Sequence, residues 1–291
     1  MTRRLGLAGL AAGLAAACTP ARLFNTITPD DPARVLARDE TYGALPRQKL
    51  DVYGPLSGGP MSGGEAAPVA VFVYGGAWNS GSRAEYVWAG KALASQGFVS
   101  VVPDYRLAPD VRFPAFVEDI AASVRWIVDN IGRFGGDGRR IVLVGHSAGA
   151  YNAAMVSLDP GYLRAAGVDP ACIKAFAGLA GPYYFPDLDG PILKAAFGTV
   201  PGEAYQVIRF ASETSPAAYL AHGGADRTVI PRNTERLAKA LRDKGVEVES
   251  HIYPGLSHAD VLLAMSRTFR GRRPVWDDMI PFLRRQVGLS A

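Results

Sequence analysis

Apolar positions along the chain follow two alternating rhythms. Short, nearly continuous apolar runs fill Val69–Tyr74, Phe98–Pro103, the Ile141–Val144 stretch between Arg140 and Gly145, Ile173–Leu179 and Ala217–Ala221. Each is bounded by Gly, Pro, Asp or another polar residue, as expected of strands buried on both faces. Gln48–Tyr53 and Val246–Tyr253 alternate enough to be two further strands. Between these runs the spacing lengthens to that of a helix. Pro114–Ile131 places Val117, Ile120, Val124, Ile127, Val128 and Ile131 on one face, which predicts a long amphipathic helix. Residues 83–96, the stretch from Ala148, residues 231–244 and Trp276–Val287 read as helices too. Strand alternating with helix predicts an α/β fold with a doubly wound, mostly parallel sheet and right-handed crossovers.

Three stretches break the rhythm. Gly54–Pro68 is rich in Gly, Pro and Ser, and reads as an exposed turn between strands. Residues 182–213 carry Tyr183, Tyr184, Phe185, Phe197 and Phe210 among prolines and glycines, and read as a small lid-like insertion. Residues 19–38 have little periodicity and read as a tether. At the N-terminus, Arg3 and Arg4 precede an apolar run, Leu5–Ala17, too short to span a bilayer but matching a secretory signal. Ala15-Ala16-Ala17-Cys18 then resembles a bacterial lipobox, with Ala15 where Leu is usual. The expected organisation is a signal segment over 1–18, a tether and N-terminal segment over 19–47, and a catalytic domain over 48–291. The expected address is the cell envelope, as a periplasmic protein or one tethered to the membrane through lipidated Cys18, or else secretion.

Composition changes this picture little. The 291 residues hold 31 Lys and Arg against 27 Asp and Glu, a net charge of +4, and no nucleic-acid motif. The cluster Arg267, Arg270, Arg272 and Arg273 reads as a solvated surface loop rather than a site for phosphate or anionic lipid. With Cys18 lipidated or removed, Cys172 stands alone as a small core residue, so no structural disulfide is expected.

The chemistry concentrates at Gly145-His-Ser-Ala-Gly149. Placed between the most strand-like segment and a helix, this pentapeptide predicts a tight turn. Such a turn thrusts the Ser147 hydroxyl out at the carboxyl edge of the sheet, with the helix N-terminus behind it. A serine hydroxyl near neutral pH needs a base. Of the four histidines, His146 adjoins the serine, His222 ends a strand and His251 lies within one. His258 follows the last strand in the loop Pro254–His258, where it can lean over the sheet edge. The base in turn needs a carboxylate to fix its tautomer. Asp226 follows the Ala217–Ala221 strand and precedes His258, giving the chain order Ser, acid, His. Asp260 is too near His258, Glu249 sits in a strand, and Asp187 and Asp189 lie in the insertion. Backbone N–H donors for an oxyanion are expected from Ala148 and from Gly76 and Ala77 in the turn Tyr74-Gly-Gly-Ala-Trp78. His222-Gly-Gly224 reads as turn chemistry only.

Taken together, Tyr74–Trp78, Asp104-Tyr-Arg-Leu-Ala-Pro109, Gly135-Gly-Asp137, Gly145–Gly149, the Asp226 turn and the His258 loop resemble the α/β-hydrolase fold esterases. The likeness is to the hormone-sensitive-lipase and carboxylesterase group, bacterial esterases, kynurenine formamidases and isoprenylcysteine methylesterases, over about residues 48–288. One position departs from the pattern: Tyr74 stands where these families usually have His, whose hydrogen bond a tyrosine can replace. The resemblance implies hydrolysis of a small-molecule carboxylic ester without metal or organic cofactor. Trp78, Tyr151, Tyr183 and Tyr184 are expected to line the substrate pocket, and Asp104–Arg106 to pin the loop beside the oxyanion turn. An amidase or arylformamidase using the same residues is the alternative, and a non-catalytic ligand-binding protein a third reading.

Overall fold

The computed structural model describes residues 29–56, 65–185, 188, 190–198 and 200–290. Signal segment, lipobox and Cys18 lie outside them. Eight strands form one sheet: β1 Ala33–Thr41, β2 Lys49–Pro55, β3 Ala67–Val73, β4 Val99–Pro103, β5 Gly136–His146, β6 Ile173–Leu179, β7 Ala217–Gly223 and β8 Val248–Tyr253. Their order is β1-β2-β4-β3-β5-β6-β7-β8. β1, β2 and β4 pair antiparallel, and β4 through β8 pair parallel. The helices are α1 Val87–Ala94, α2 Ala115–Asn130, α3 Ala148–Leu158, α4 Pro160–Ala165, α5 Gly190–Phe197, α6 Arg232–Arg242, α7 His258–Leu263 and α8 Val275–Gln286. α1 packs on β2 and β4, α3 on β5 and β6, α6 on β7 and β8, and α8 on β6 and β7.

The central strands are apolar because they are covered on both sides: every residue of Val69–Tyr74 and Ile141–Val144 is fully buried. The α2 pattern likewise buries Val117, Ile120, Val124 and Ile127, while Val128 is left exposed.

Four features differ from the sequence reading. Residues 33–38 are not tether but part of strand β1. Its register against β2 shifts between Val35 and Ala37 and again between Ala37 and Glu40, and these irregularities erase the two-residue period a strand would show. The helix expected over 83–96 is split into a 3-10 turn at Arg83–Glu85 and α1, with Tyr86 between them at φ −121° and ψ 25°; the Arg83 amide, at the start of the turn, donates to Asp104 Oδ1 at 2.7 Å. β5 begins four residues earlier than expected, since Gly136 and Asp137 pair with Ala67 and Pro68. The arginine cluster is not merely solvated. Arg270 makes a bidentate pair with Asp31 at 2.9 Å, Arg273 pairs with Asp260 at 2.7 Å, and Arg267 donates to the Asp30 carbonyl at 3.3 Å. Arg270 and Arg267 therefore fasten the segment that leads into β1, and Arg273 the start of α7.

The described part of the insertion contains α5 and two 3-10 turns, Gly202–Tyr205 and Val207–Phe210. Its Phe185, Phe197 and Tyr205 rings join Phe113, Phe116 and Tyr151 in one buried aromatic cluster, so much of the insertion is an extension of the core.

The start of α3 lies hard against the end of β3. A Cβ on Gly149 would fall on the carbonyl oxygens of Val73 and Tyr74, whereas a Cβ on Gly132 would meet no atom within 4 Å. Gly149→Ala should therefore destabilise by about 3 kcal/mol through overpacking. Gly132→Ala should be neutral or stabilising by up to about 1 kcal/mol through loss of unfolded-state entropy. Denaturant unfolding of the two variants measures the contrast, and equal midpoints would contradict the packing described.

Candidate active site

Ser147 is the only residue between β5 and α3, and it is held at φ 54° and ψ −123°. A non-glycine residue there is strained by about 1–3 kcal/mol, which the surrounding structure must oppose. Ser147 N–H donates to the Leu179 carbonyl at 2.9 Å, and Tyr151 N–H donates to the Ser147 carbonyl at 3.1 Å. The hydroxyl does not cap α3 and is left for another partner.

That partner is His258, the first residue of α7. Ser257 caps this helix: its amide and hydroxyl both donate to Asp260 Oδ2, at 2.8 and 2.7 Å. Asp260 is thereby occupied, by the cap and by Arg273. The His258 ring places Nε2 2.9 Å from Ser147 Oγ and Nδ1 2.7 Å from Asp226 Oδ2. The carboxylate can only accept, so Nδ1 carries the proton and bare Nε2 accepts from the serine. Asp226 Oδ1 accepts the Thr228 and Val229 amides at 2.8 and 3.0 Å. Burial pushes the Asp226 carboxyl upward, but the Val229 amide, the His258 ring and the Thr228 amide outweigh it, holding the group below its ordinary value. The carboxylate stays ionised beside the ring, as an imidazolium formed on His258 requires.

His146 lies beside this chain of contacts. Its Nε2–H donates to the His258 carbonyl at 3.0 Å, and its ring sits 4.8 Å from that of His258. Burial, then the nearby His258, push it down to about 3, so it is a neutral donor.

Three consecutive residues of the neighbouring turn have positive φ: Gly76 at 120°, Ala77 at 49° and Trp78 at 59°. Only glycine fits position 76, where a Cβ would strike the Ser80 carbonyl. Ala77 and Trp78 have side chains, so the turn must be held from outside. Gly76 O accepts the Asn79 and Ser80 amides at 3.0 and 3.1 Å, and Trp78 O accepts the Ala108 amide at 2.7 Å. Trp78 Nε1–H donates to Asn152 Oδ1 at 3.0 Å. Before the turn, Tyr105 OH donates to the Tyr74 carbonyl at 3.0 Å. Tyr74 OH donates to Asp104 Oδ1 at 2.8 Å and accepts from Arg47 at 2.9 Å, and Arg47 also reaches the Gly81 carbonyl at 2.7 Å. Arg83 is ion-paired to Asp104, Asp39 and Asp51. Tyr74 thus belongs to a buried network tied to the turn at both ends. Its ring stacks between Tyr86 and Tyr105, at 5.3 and 4.8 Å.

Ala77 and Ala148 face a cleft of about 470 Å³ together with Ser147. The other walls come from Trp78, from Pro182, Tyr184 and Phe185, from Ile192 and Leu193 of α5, and from Thr228–Ile230 and Asn233. Among the described residues no charged side chain lines it. Trp78 and Tyr184 take the places expected of them, but Tyr151 and Tyr183 do not. Tyr151 is fully buried with its OH donating to the Tyr205 carbonyl at 2.9 Å. Its ring meets Trp78 edge-on at 5.3 Å, so it supports the wall from behind. The Tyr183 ring fills the space left by the missing side chains of Gly178 and Gly181. Two residues that sequence reasoning passed over hold the aromatic wall. Asn233 Oδ1 accepts the Tyr183 and Tyr184 amides at 3.0 and 2.9 Å, and the Gln206 side chain bonds both backbone groups of Phe185 at 2.8 and 2.6 Å. Asn152 was missed as well. No local signal marks any of the three, since each partner lies many residues away.

Residues 50–171 match the family model BD-FAE, and residues 115–289 match that of the prolyl oligopeptidase family. Carboxylesterase NlhH of Mycobacterium tuberculosis is 31% identical over 276 residues, covering 84% of this chain and 82% of that protein. Isoprenylcysteine alpha-carbonyl methylesterase of Arabidopsis thaliana is 28% identical over 270 residues, 85% of this chain and 62% of that one. The chain spans 58–62% of the length of the first four such methylesterases it matches. A solved truncated form of a carbohydrate esterase from gut microbiota superposes with a TM-score of 0.75 at 18% identity, over 90% of this chain and 99% of that one.

Asn152→Leu keeps the branched shape of the side chain but leaves the buried Trp78 N–H unpaired, a cost of about 1–3 kcal/mol. The turn should lose its set, and labelling of Ser147 by a fluorophosphonate should slow on the order of 10-fold. An unchanged labelling rate in a folded variant would remove Asn152 from this role.

Proposed function

The chain belongs to the α/β-hydrolase esterase family, and from that premise we propose that it hydrolyses uncharged carboxylic esters with short to medium acyl or aryl groups. The observation that carries the reading is the unbroken chain Ser147 Oγ, His258 Nε2, His258 Nδ1, Asp226 Oδ2 at 2.9 and 2.7 Å, opening into an apolar cleft.

Ser147 Oγ attacks the ester carbonyl while His258 Nε2 takes its proton. Negative charge develops on the carbonyl oxygen. We assign the Ala77 and Ala148 amides, whose residues line the cleft, to receive it, with the Gly76 amide as the further expected donor. Ala148 is the first residue of α3, where an N–H has no partner within the helix. Collapse expels the alcohol, which leaves with the proton from His258, and an acyl group remains on Ser147. Water deprotonated by His258 then releases the acid by the same steps in reverse. The cleft volume lies in the usual range for small ligands, about 300–1,000 Å³. Its uncharged lining favours an apolar acyl or aryl group.

The same groups would cleave an activated amide, and the Gly75-Gly-Ala-Trp78 turn, similar to that of the formamidases, keeps an arylformamidase as the second reading. Purified protein should turn over p-nitrophenyl acetate and butyrate faster than longer esters, and faster than N-formylkynurenine. Ser147→Ala should lower kcat on the order of 10⁶-fold. Preference for the formamide would select the second reading. Unlabelled Ser147 and no turnover of either class would leave a ligand-binding role.

The proposal includes a membrane tether at the cell envelope, supported by the Arg3–Cys18 pattern. Metabolic labelling with a fatty-acid probe should mark the wild type and not Cys18→Ala. An unlabelled wild type in a lipoprotein-processing host would withdraw the tether.

A further inference from the structure

Asp226 touches two histidines. His222, at the end of β7, is completely buried and lies 3.1 Å through Nε2 from Asp226 Oδ2, the oxygen that also binds His258. The same Nε2 is 2.8 Å from the Val229 carbonyl, and Nδ1 is 2.8 Å from Thr234 Oγ1 on α6. A carbonyl and a carboxylate only accept, so Nε2 must carry the proton. Nδ1 is then bare and accepts from the Thr234 hydroxyl. The ring is thus a neutral donor fixed in one tautomer, and burial, which pushes its pKa down, keeps it neutral.

We infer that His222 is a positioning residue for the reaction: its Nε2–H, oriented by Thr234, sets the place and the basicity of the Asp226 carboxylate and acts on His258 through it. The inference rests on the proposed Ser147–His258–Asp226 chemistry. The carboxylate accepts three N–H hydrogen bonds, from the Thr228 and Val229 amides on Oδ1 and the His258 ring on Oδ2, and the His222 Nε2–H, donated to the Val229 carbonyl, brings its positive end within 3.1 Å of Oδ2. Each stabilises the anion and makes it a poorer base. Proton transfer from His258 to Asp226 is disfavoured, and the proton taken from Ser147 stays on the imidazole for the leaving group. The Val229 contact matters equally, because it closes the Asp226 turn. That turn also bonds to the His258 loop, through Gly224 N–H to Tyr253 O at 2.8 Å and Ala225 N–H to Leu256 O at 2.9 Å. His222, tied to Thr234 of α6, therefore helps hold the turn whose placement against the His258 loop sets the 2.7 Å contact.

The other charged or titratable groups around Asp226 do not obscure a pH measurement. His146, on β5, faces it across His258 and is held neutral by burial. Arg227, next in the turn, is exposed, and Asp260 of α7 is engaged by Arg273. Thr234 is the α6 residue that contacts His222 and does not titrate. Removing the His222 donor leaves more negative charge facing His258, which stabilises the protonated imidazole. The acid limb of kcat/KM should then move to higher pH.

The test compares full-length wild type with His222→Phe, His222→Gln and Thr234→Val, assayed on p-nitrophenyl butyrate from about pH 5 to about pH 9. His222→Phe should lower kcat on the order of 10²-fold with little change in KM and raise the acid limb. His222→Gln, which can still donate, should recover part of kcat and return the limb toward wild type. Thr234→Val keeps the buried volume, and should show a smaller loss with the limb moved in the same direction. It supplies the answer if His222→Phe does not fold. The low-field proton resonance of the His258–Asp226 hydrogen bond should also shift in the variants, and this signal needs no turnover. A loss of kcat with a fixed acid limb and an unmoved resonance would reduce His222 to packing and overturn the inference, as would variants indistinguishable from wild type. An unlabelled, inactive wild type whose resonance still responds to His222 would reject ester hydrolysis while keeping the positioning role.

Discussion

Where the first turn of α3 meets the end of β3, residue 149 has no space for a side-chain carbon, and residue 145 is pressed in turn against the backbone of Gly149 and Ala150. This contact brings the helix N-terminus, the end of β5 and the chain leaving β3 to one point. Ser147, between the two glycines, is forced to positive φ and out of the sheet edge. The same approach brings the turn after β3 beside it, since a Cβ on Gly75 would lie 3.0 Å from the Ser147 Cβ. Nucleophile and anion-binding amides are therefore placed by one steric constraint.

A geometry set so tightly at its centre has to be held at its edges. Two non-glycine residues at positive φ in the 76–78 turn would relax if free. They are opposed by a surrounding set of polar contacts: Asn152 on Trp78, Ala108 on the Trp78 carbonyl, Tyr105 on the Tyr74 carbonyl, and Arg47 on Gly81. Tyr74 fits this scheme. The phenol reaches Asp104, and Arg47 and Arg83 gather at the same carboxylate. The phenol keeps the chain before the turn tied to Asp104, and stacking on Tyr86 and Tyr105 fixes the ring.

The second half of the site is organised around an acceptor rather than a steric contact. Asp226 gathers donors from its own turn and from α7, with the His222 ring of β7 3.1 Å away. A buried carboxylate without them would be costly to keep ionised. His146 and His222 are both buried and neutral, and both donate into the immediate surroundings of His258. Three histidines thus meet near one carboxylate, but only His258 faces the serine.

The parallel strands, the major helices and the order Ser147, Asp226, His258 were legible in the sequence. Each rests on a local cause: continuous burial along a strand, a 3.6-residue stripe, or a tight turn that favours glycine two residues either side of the serine. The Tyr74–Trp78 turn was legible for the same reason. The sequence did not reveal β1, whose bulges break its period, or the split of residues 83–96 at Tyr86. The roles of Tyr151 and Tyr183 were equally hidden. An aromatic side chain looks the same in sequence whether it lines a cleft or supports its wall, and only packing against Tyr205, Gly178 and Gly181 separates the two. His222 was legible as a strand end and nothing more, because its partners become neighbours only when β7, α6 and the acid turn fold together. By itself, then, the sequence determined the reacting groups and their order, since those depend on short-range backbone geometry. The tertiary structure alone decided what holds them in register and what shapes the cleft, since hydrogen bonds and ring contacts between distant segments have no local signature.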